Sequence, residues 1–110
     1  MDSKTTIETN PPRYRTFREF YPFYLSEHRN PICRRLHFLG STLALVCLAL
    51  LIASGNPWWL LAGIVAGYGF AWVGHFAFEK NRPASFRQPL FSFFGDWVMY
   101  KDMLTGRIRF

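Results

Sequence analysis

The sequence predicts an all-α protein built on a hairpin of two membrane-spanning helices, with short flanking helices at the membrane interface. Three observations carry this. Residues 38–53 and residues 57–74 contain no charged side chain. Only Ser54, Gly55 and Asn56 separate the two runs, and Pro57 opens the second. Across 110 residues, 50% are hydrophobic and only 18% are charged, against roughly 25% charged in a typical soluble domain. A soluble domain this small buries only about 60–70% of its unfolded surface, which would leave much of the apolar content in water. Two buried helices of a soluble bundle would each show a polar face, and neither run has one. The same composition excludes disorder for most of the chain.

Residues 1–15 read as a flexible tail, because their first part is polar, aperiodic and ends in Pro11-Pro12. Residues 16–110 read as one membrane-embedded helical domain. No signal peptide is expected, since residues 1–35 lack an early apolar core. Thr16 and Glu19 have capping-box spacing, and Phe17, Phe20, Tyr21 and Tyr24 follow at helical intervals. Pro22 within this run makes the helix short, kinked or late-starting. Asn30-Pro31 then marks a turn and a new helix start.

Residues 38–53 would span about 24 Å as a helix, short of a ~30 Å hydrocarbon core. Cys33 to His37 lengthen that helix to the interface. The second run continues through Phe78 and reaches about 33 Å. Trp58 and Trp59 stand where an interfacial aromatic belt is expected. Arg29, Arg34 and Arg35 precede the first span, Lys80, Arg82 and Arg87 follow the second, and the turn is uncharged. The positive-inside rule therefore puts both termini in the cytoplasm. The net charge of +6 is thus a topology signal. Nucleic-acid binding would want a basic polar face, so no nucleic acid is expected as a partner.

Gly63, Gly67, Ala71 and Gly74 form a small-residue stripe that permits close helix approach. It serves either packing within the hairpin or a homo-oligomer, and spacing does not choose. Asn81-Arg82-Pro83 ends the second helix. Residues 90–104 predict a third helix, too charged to span and suited to the interface as an amphipathic element, with Gly106 as its cap. Cys33 and Cys47 are too few for a disulfide framework, and Cys47, inside an apolar run, suits a buried thiol.

The chemical inventory is small. His28, His37 and His75 are the only histidines. His37 precedes Gly55 by 18 residues and His75 follows it by 20, so an antiparallel hairpin brings both to one depth at the cytoplasmic mouth. His28 lies just before the first span, on the same side. Glu79 shares a helical face with His75. Imidazoles with a carboxylate suit a divalent transition metal such as Fe(II), with positions left open for O2 and substrate. A zinc site using Cys33, His28 and His37 competes. Lys80 and Arg82, with Arg87, either hold a fatty-acid carboxylate or contact phospholipid. Glu27 either helps to orient an imidazole or is a solvated carboxylate paired with Arg29 or Arg34, and the second reading is preferred. Asp96 reads as a cap or a partner of Arg82, and Tyr24, Tyr68 and Trp72 as packing residues. There is no phosphate-cradling glycine loop, GxSxG elbow or CxxC pair.

The segments FYPFYLSEHRNPICRRLHFLGS, GYGFAWVGHFAFEKNRPASF and FSFFGDWVMYKDMLTGRIRF together resemble the small membrane-protein family of the fungal 2-hydroxy fatty acid dioxygenase, over about residues 16–110. The GHFxFEKNRPA stretch is the most specific part. The resemblance implies an Fe(II)-dependent enzyme that uses O2 to shorten 2-hydroxy fatty acids by one carbon, with His28, His37 and His75 as iron ligands. The fungal members are longer, with more hydrophobic segments and histidines. This chain resembles the short bacterial branch, which implies a bacterial inner membrane, and Glu79 or water would complete the metal's shell. The rival function is a non-enzymatic module for lipid binding or assembly.

Overall fold

The computed structural model describes residues 13–110. Over these residues the chain is helical throughout: α1 (Phe17–Ser26), α2 (Pro31–Ser54), α3 (Trp58–Val73) and α4 (Pro89–Leu104). A π-helical segment, Gly74–Glu79, extends α3, and a 3-10 turn, Ala84–Phe86, leads into α4. Residues 1–12 of the expected tail lie outside the described residues. Tyr14, also assigned to that tail, is tied down: its N–H donates to Oε1 of Gln88 and its carbonyl accepts from Nε2, both at 2.8 Å.

Each boundary has a local cause. Thr16 caps α1 by accepting from the Glu19 N–H at 3.2 Å. The helix starts there and runs through Pro22, which lies on the exposed side. Asn30 caps α2 by accepting from the Ile32 N–H at 2.8 Å, with Pro31 in the first turn. Gly55 ends α2 in the left-handed conformation, φ 71°. Asn56 Oδ1 then accepts from the Trp58 N–H at 3.0 Å and starts α3.

α2 and α3 form the antiparallel hairpin, and both, the latter with its π extension, are long and apolar enough to cross a membrane. Little of either is buried within the chain: Ile52 is 77% exposed and Val65 62%. This is the reverse of a soluble bundle's core helices, and so broad an apolar surface needs a non-aqueous surround. The small-residue stripe lies within the hairpin. A side chain on Gly63 would meet Cys47 Cβ at 3.2 Å, and one on Gly74 would meet Cys33 Sγ at 2.9 Å. Gly40 on α2 is equally tight, 3.0 Å from the Ala66 carbonyl oxygen. Cys47 is half-buried rather than buried.

α1 and α4 pack at the end of the hairpin away from Gly55. Phe20, Tyr24, Met99 and Met103 form the buried cluster there. Phe38 stacks on Tyr100, whose hydroxyl lies 2.9 Å from Thr42 Oγ1. α4 is sided oppositely to an ordinary surface helix. Ser92, Gly95, Met99, Asp102 and Met103 face inward, while Leu90, Phe93, Phe94 and Leu104 are exposed. Gly95 admits the Tyr24 ring, since a Cβ there would lie 3.0 Å from it.

Candidate metal centre

Three segments deliver the histidines. His28 sits in the link between α1 and α2, His37 two turns into α2, and His75 at the start of the π segment. All three are almost fully buried. Their ring centroids lie 4.4 Å (His28–His37), 4.4 Å (His28–His75) and 5.0 Å (His37–His75) apart. The convergence expected from the hairpin register is what the structure shows.

The hydrogen bonds decide which nitrogen is free. His28 Nδ1 lies 2.6 Å from the Tyr24 carbonyl oxygen, and His37 Nδ1 lies 2.9 Å from that of Cys33. A carbonyl only accepts, so each Nδ1 carries the proton. His75 Nδ1 lies 2.7 Å from Asn81 Oδ1. The Asn81 amide nitrogen donates to the Glu27 carbonyl and carboxylate at 3.2 and 3.3 Å, which fixes the oxygen toward His75. In the neutral ring each Nε2 is then a bare lone pair. Those of His28 and His37 face each other at 3.1 Å, a repulsive arrangement unless a proton or a metal ion sits between them. Two imidazoles bound at about 2.1 Å to one ion lie about 3.0 Å apart at a right angle and about 3.4 Å apart at the tetrahedral angle. The donor set fits a metal. Burial, then the nearby His37 and His75, hold the His28 pKa well below the ordinary imidazole range, which favours the neutral, ligating form.

Cys33 belongs to the same group: the four ligand atoms lie within 4.8 Å of one another. Its sulfur is 3.7 Å from Nδ1 of His37, the side of the ring turned away from the His28 contact. Glu79, expected as a ligand, stands outside this group and accepts from the Asn30 N–H, where it supports the start of α2. Lys80 and Arg82 are exposed. Lys80 closes the π segment in the left-handed conformation, φ 59°.

Sequence reasoning missed Asn81, which orients His75. It also read Glu27 as solvated, whereas Glu27 accepts from Asn81. Tyr24 does more than pack: its ring stacks on His28 at 4.1 Å and its hydroxyl donates to Asp96. Asp96 thus pairs with Tyr24 and not with Arg82. A cavity of about 20 Å³ lies at the histidines, bounded also by Tyr24, Ser92 and Asp96. A groove of about 180 Å³ runs from His37 and Asp96 along α2 and α3 to Leu51 and Leu60.

Residues 14–108 match a family model described as 2-hydroxy-palmitic acid dioxygenase Mpo1-like. No curated protein and no solved structure matches the chain.

Proposed function

The chain belongs to the Mpo1-like family, and from that membership we propose that it is an Fe(II)-dependent dioxygenase of 2-hydroxy fatty acids, set in a membrane. One observation carries the reading: three buried histidines whose Nδ1 atoms are all committed to oxygen acceptors and whose Nε2 atoms converge. Three neutral imidazoles leave coordination positions open, as O2 chemistry requires. The iron, when bound, supplies the redox and Lewis-acid chemistry that removes one carbon from the acid.

The chain's own residues do the rest. The Tyr24 and Cys33 carbonyls and the Asn81 amide hold the rings in place and raise their basicity as ligands. Tyr24 seals one side of the cluster and excludes water. With the exposed apolar surfaces of α2 and α3 set in hydrocarbon, the site lies at a bilayer interface, where the acid's polar end resides. Lys80 and Arg82 are assigned to the rim, drawing carboxylates and lipid headgroups by charge. From the basic flanks both termini are assigned to the cytoplasm, and from the resemblance to the short branch the membrane is taken as a bacterial inner membrane.

A second reading has one observation in its favour. Cys33 and the three histidines would make a closed four-ligand zinc site. Anaerobic purification in detergent and elemental analysis separate the two. The dioxygenase reading expects near-stoichiometric iron, lost in His75→Ala and kept in Cys33→Ser. It also expects one-carbon-shorter product, by mass spectrometry, from 2-hydroxyhexadecanoic acid with O2. Zinc lost on Cys33→Ser would replace it with the structural site, and absence of any bound metal would sink both.

A further inference from the structure

Beside the histidines, α4 presents two polar side chains that the metal ligands do not use. Ser92 is 3% exposed, lines the cavity at the histidines, and its hydroxyl has no hydrogen-bond partner among the described residues. A buried hydroxyl left unpaired is costly, and one facing a cavity of ligand donors marks the place of a ligand's polar atom. Asp96, one turn further along the same helix face, lines both the cavity and the groove. His37, Tyr68 and Ala71 are likewise common to both. The two spaces therefore adjoin across these side chains, with the polar groups gathered at one end.

From that end the groove follows α2 from His37 to Leu51, about 21 Å of helix. One leaflet's acyl chains fill about 15 Å, half of the ~30 Å hydrocarbon core. Beyond His37, Ser41 and Asp96, its lining residues are apolar but for Tyr68 and Trp97, which are amphipathic. Leu48, Leu60 and Ile64 line it and are themselves about half exposed, so it opens sideways on the hairpin's flank. A flank of this kind faces lipid, and a chain enters it from the bilayer without crossing water.

We propose that cavity and groove form one site for a long-chain 2-hydroxy acid. Ser92 donates to its C2 hydroxyl, Asp96 accepts from that hydroxyl, and the groove between α2 and α3 takes the acyl chain, with Leu48 setting its length. The proposal rests on the reading of the cluster as a 2-hydroxy acid site. It assigns substrate selection to α4 and the hairpin, and not to the basic rim. An acid lacking the C2 hydroxyl leaves Ser92 unpaired and is rejected on that account.

The test is equilibrium binding of radiolabelled 2-hydroxyhexadecanoic, hexadecanoic and 2-hydroxydecanoic acids to the full chain in nanodiscs under anaerobic conditions. Ser92→Ala is expected to weaken 2-hydroxyhexadecanoic acid about threefold to tenfold and to leave hexadecanoic acid unchanged. Leu48→Trp, on the exposed flank, is expected to weaken 2-hydroxyhexadecanoic acid at least tenfold and to leave 2-hydroxydecanoic acid within twofold. Equal loss of both sixteen-carbon acids in Ser92→Ala overturns the polar half. Unchanged sixteen-carbon binding in Leu48→Trp overturns the groove. Iron content and product, measured on the same preparations, keep the two ideas apart. These binding patterns without iron or product support the site while the dioxygenase reading falls; iron and product without the patterns overturn the site alone.

Discussion

His75 is held by Asn81, and Asn81 by Glu27, so the third histidine depends on a chain of contacts from the π segment back to the end of α1. Removing such an orienting partner costs metal sites about 10- to 100-fold in affinity. Asn81→Ala is therefore expected to weaken iron binding by that factor, measured by anaerobic titration, while His75→Ala abolishes it. Glu79→Gln, which keeps an acceptor for the Asn30 N–H, is expected to change iron affinity less than threefold. Asp96 yields a separate prediction. Burial pushes its carboxyl up to about 7, against which the Tyr24 hydroxyl acts. The folded chain thus holds a proton that the unfolded chain releases near 4. Stability from this group is full below about pH 4 and is lost as pH rises to about 7. Three pKa units bound the loss at about 4 kcal/mol. Asp96→Asn keeps the acceptor for Tyr24 and removes the titration. Its thermal midpoint is expected to gain on the wild type's between pH 4 and pH 7 and to run parallel above pH 8. The three histidines were legible because the chain has no others and the hairpin fixes their depth. Asn81 was not, because an asparagine after a helix reads equally as a breaker, and only the fold turns its amide toward Glu27.

At the scale of elements, the hairpin is set by which glycines touch the opposite helix. A methyl at Gly40 would press on the Ala66 and Gly67 carbonyl oxygens at 3.0 and 3.1 Å, and one at Gly74 on Cys33 Cα at 3.1 Å. These are backbone contacts and cannot swing away, so Gly40→Ala and Gly74→Ala are expected to cost about 1–3 kcal/mol. At Gly67 the nearest atom is Ala44 Cβ at 3.9 Å, and at Gly69 nothing lies within 4 Å. Alanine at either site is expected to be neutral or stabilising by up to about 1 kcal/mol, from helix propensity alone. Thermal unfolding in one detergent ranks all four. The stripe on α3 was read from its spacing; its counterpart on α2, Gly40 with Ala44 and Cys47 at spacings of four and three, was passed over, and the fold shows the two facing each other. The π segment was hidden. Its composition suits an α-helix, and the extra residue per turn arises where Gly74 lets α3 close on Cys33 and His75 reaches the cluster; π segments recur at functional sites for this reason. The inward polar face of α4 was misleading in sequence, where Asp96 and Asp102 look like the wet side. In the fold both accept from buried or half-buried tyrosines, Tyr24 and Tyr21, and the phenyl rings point out.

The whole molecule is asymmetric along the hairpin. One end carries α1, α4, the histidines and the basic residues, and the other carries only the turn between Ser54 and Trp58. On that far half Leu45, Val46, Ile52, Leu61 and Val65 are all exposed among the described residues. Burying an exposed Leu or Val side chain in an apolar medium is worth about 1.5–3 kcal/mol. Transfer of this half into hydrocarbon is therefore strongly favoured. In the proposed topology the basic end stays at the cytoplasmic face, since Arg29, Arg34 and Arg35 flank one span and Lys80, Arg82 and Arg87 follow the other. That topology predicts opposite accessibility for two single cysteines placed on a background lacking Cys33 and Cys47. At Asn56, in the turn, Asn56→Cys is expected to react with a membrane-impermeant maleimide in intact cells. At the other end, Arg109→Cys is expected to react only after the membrane is opened. Labelling of Arg109→Cys in intact cells would invert the hairpin and put the histidines on the outer face, away from cytoplasmic iron. Labelling of both in intact cells would mean the hairpin does not cross at all, and the metal site would then need a different surround from the bilayer interface that its exposed apolar flanks demand.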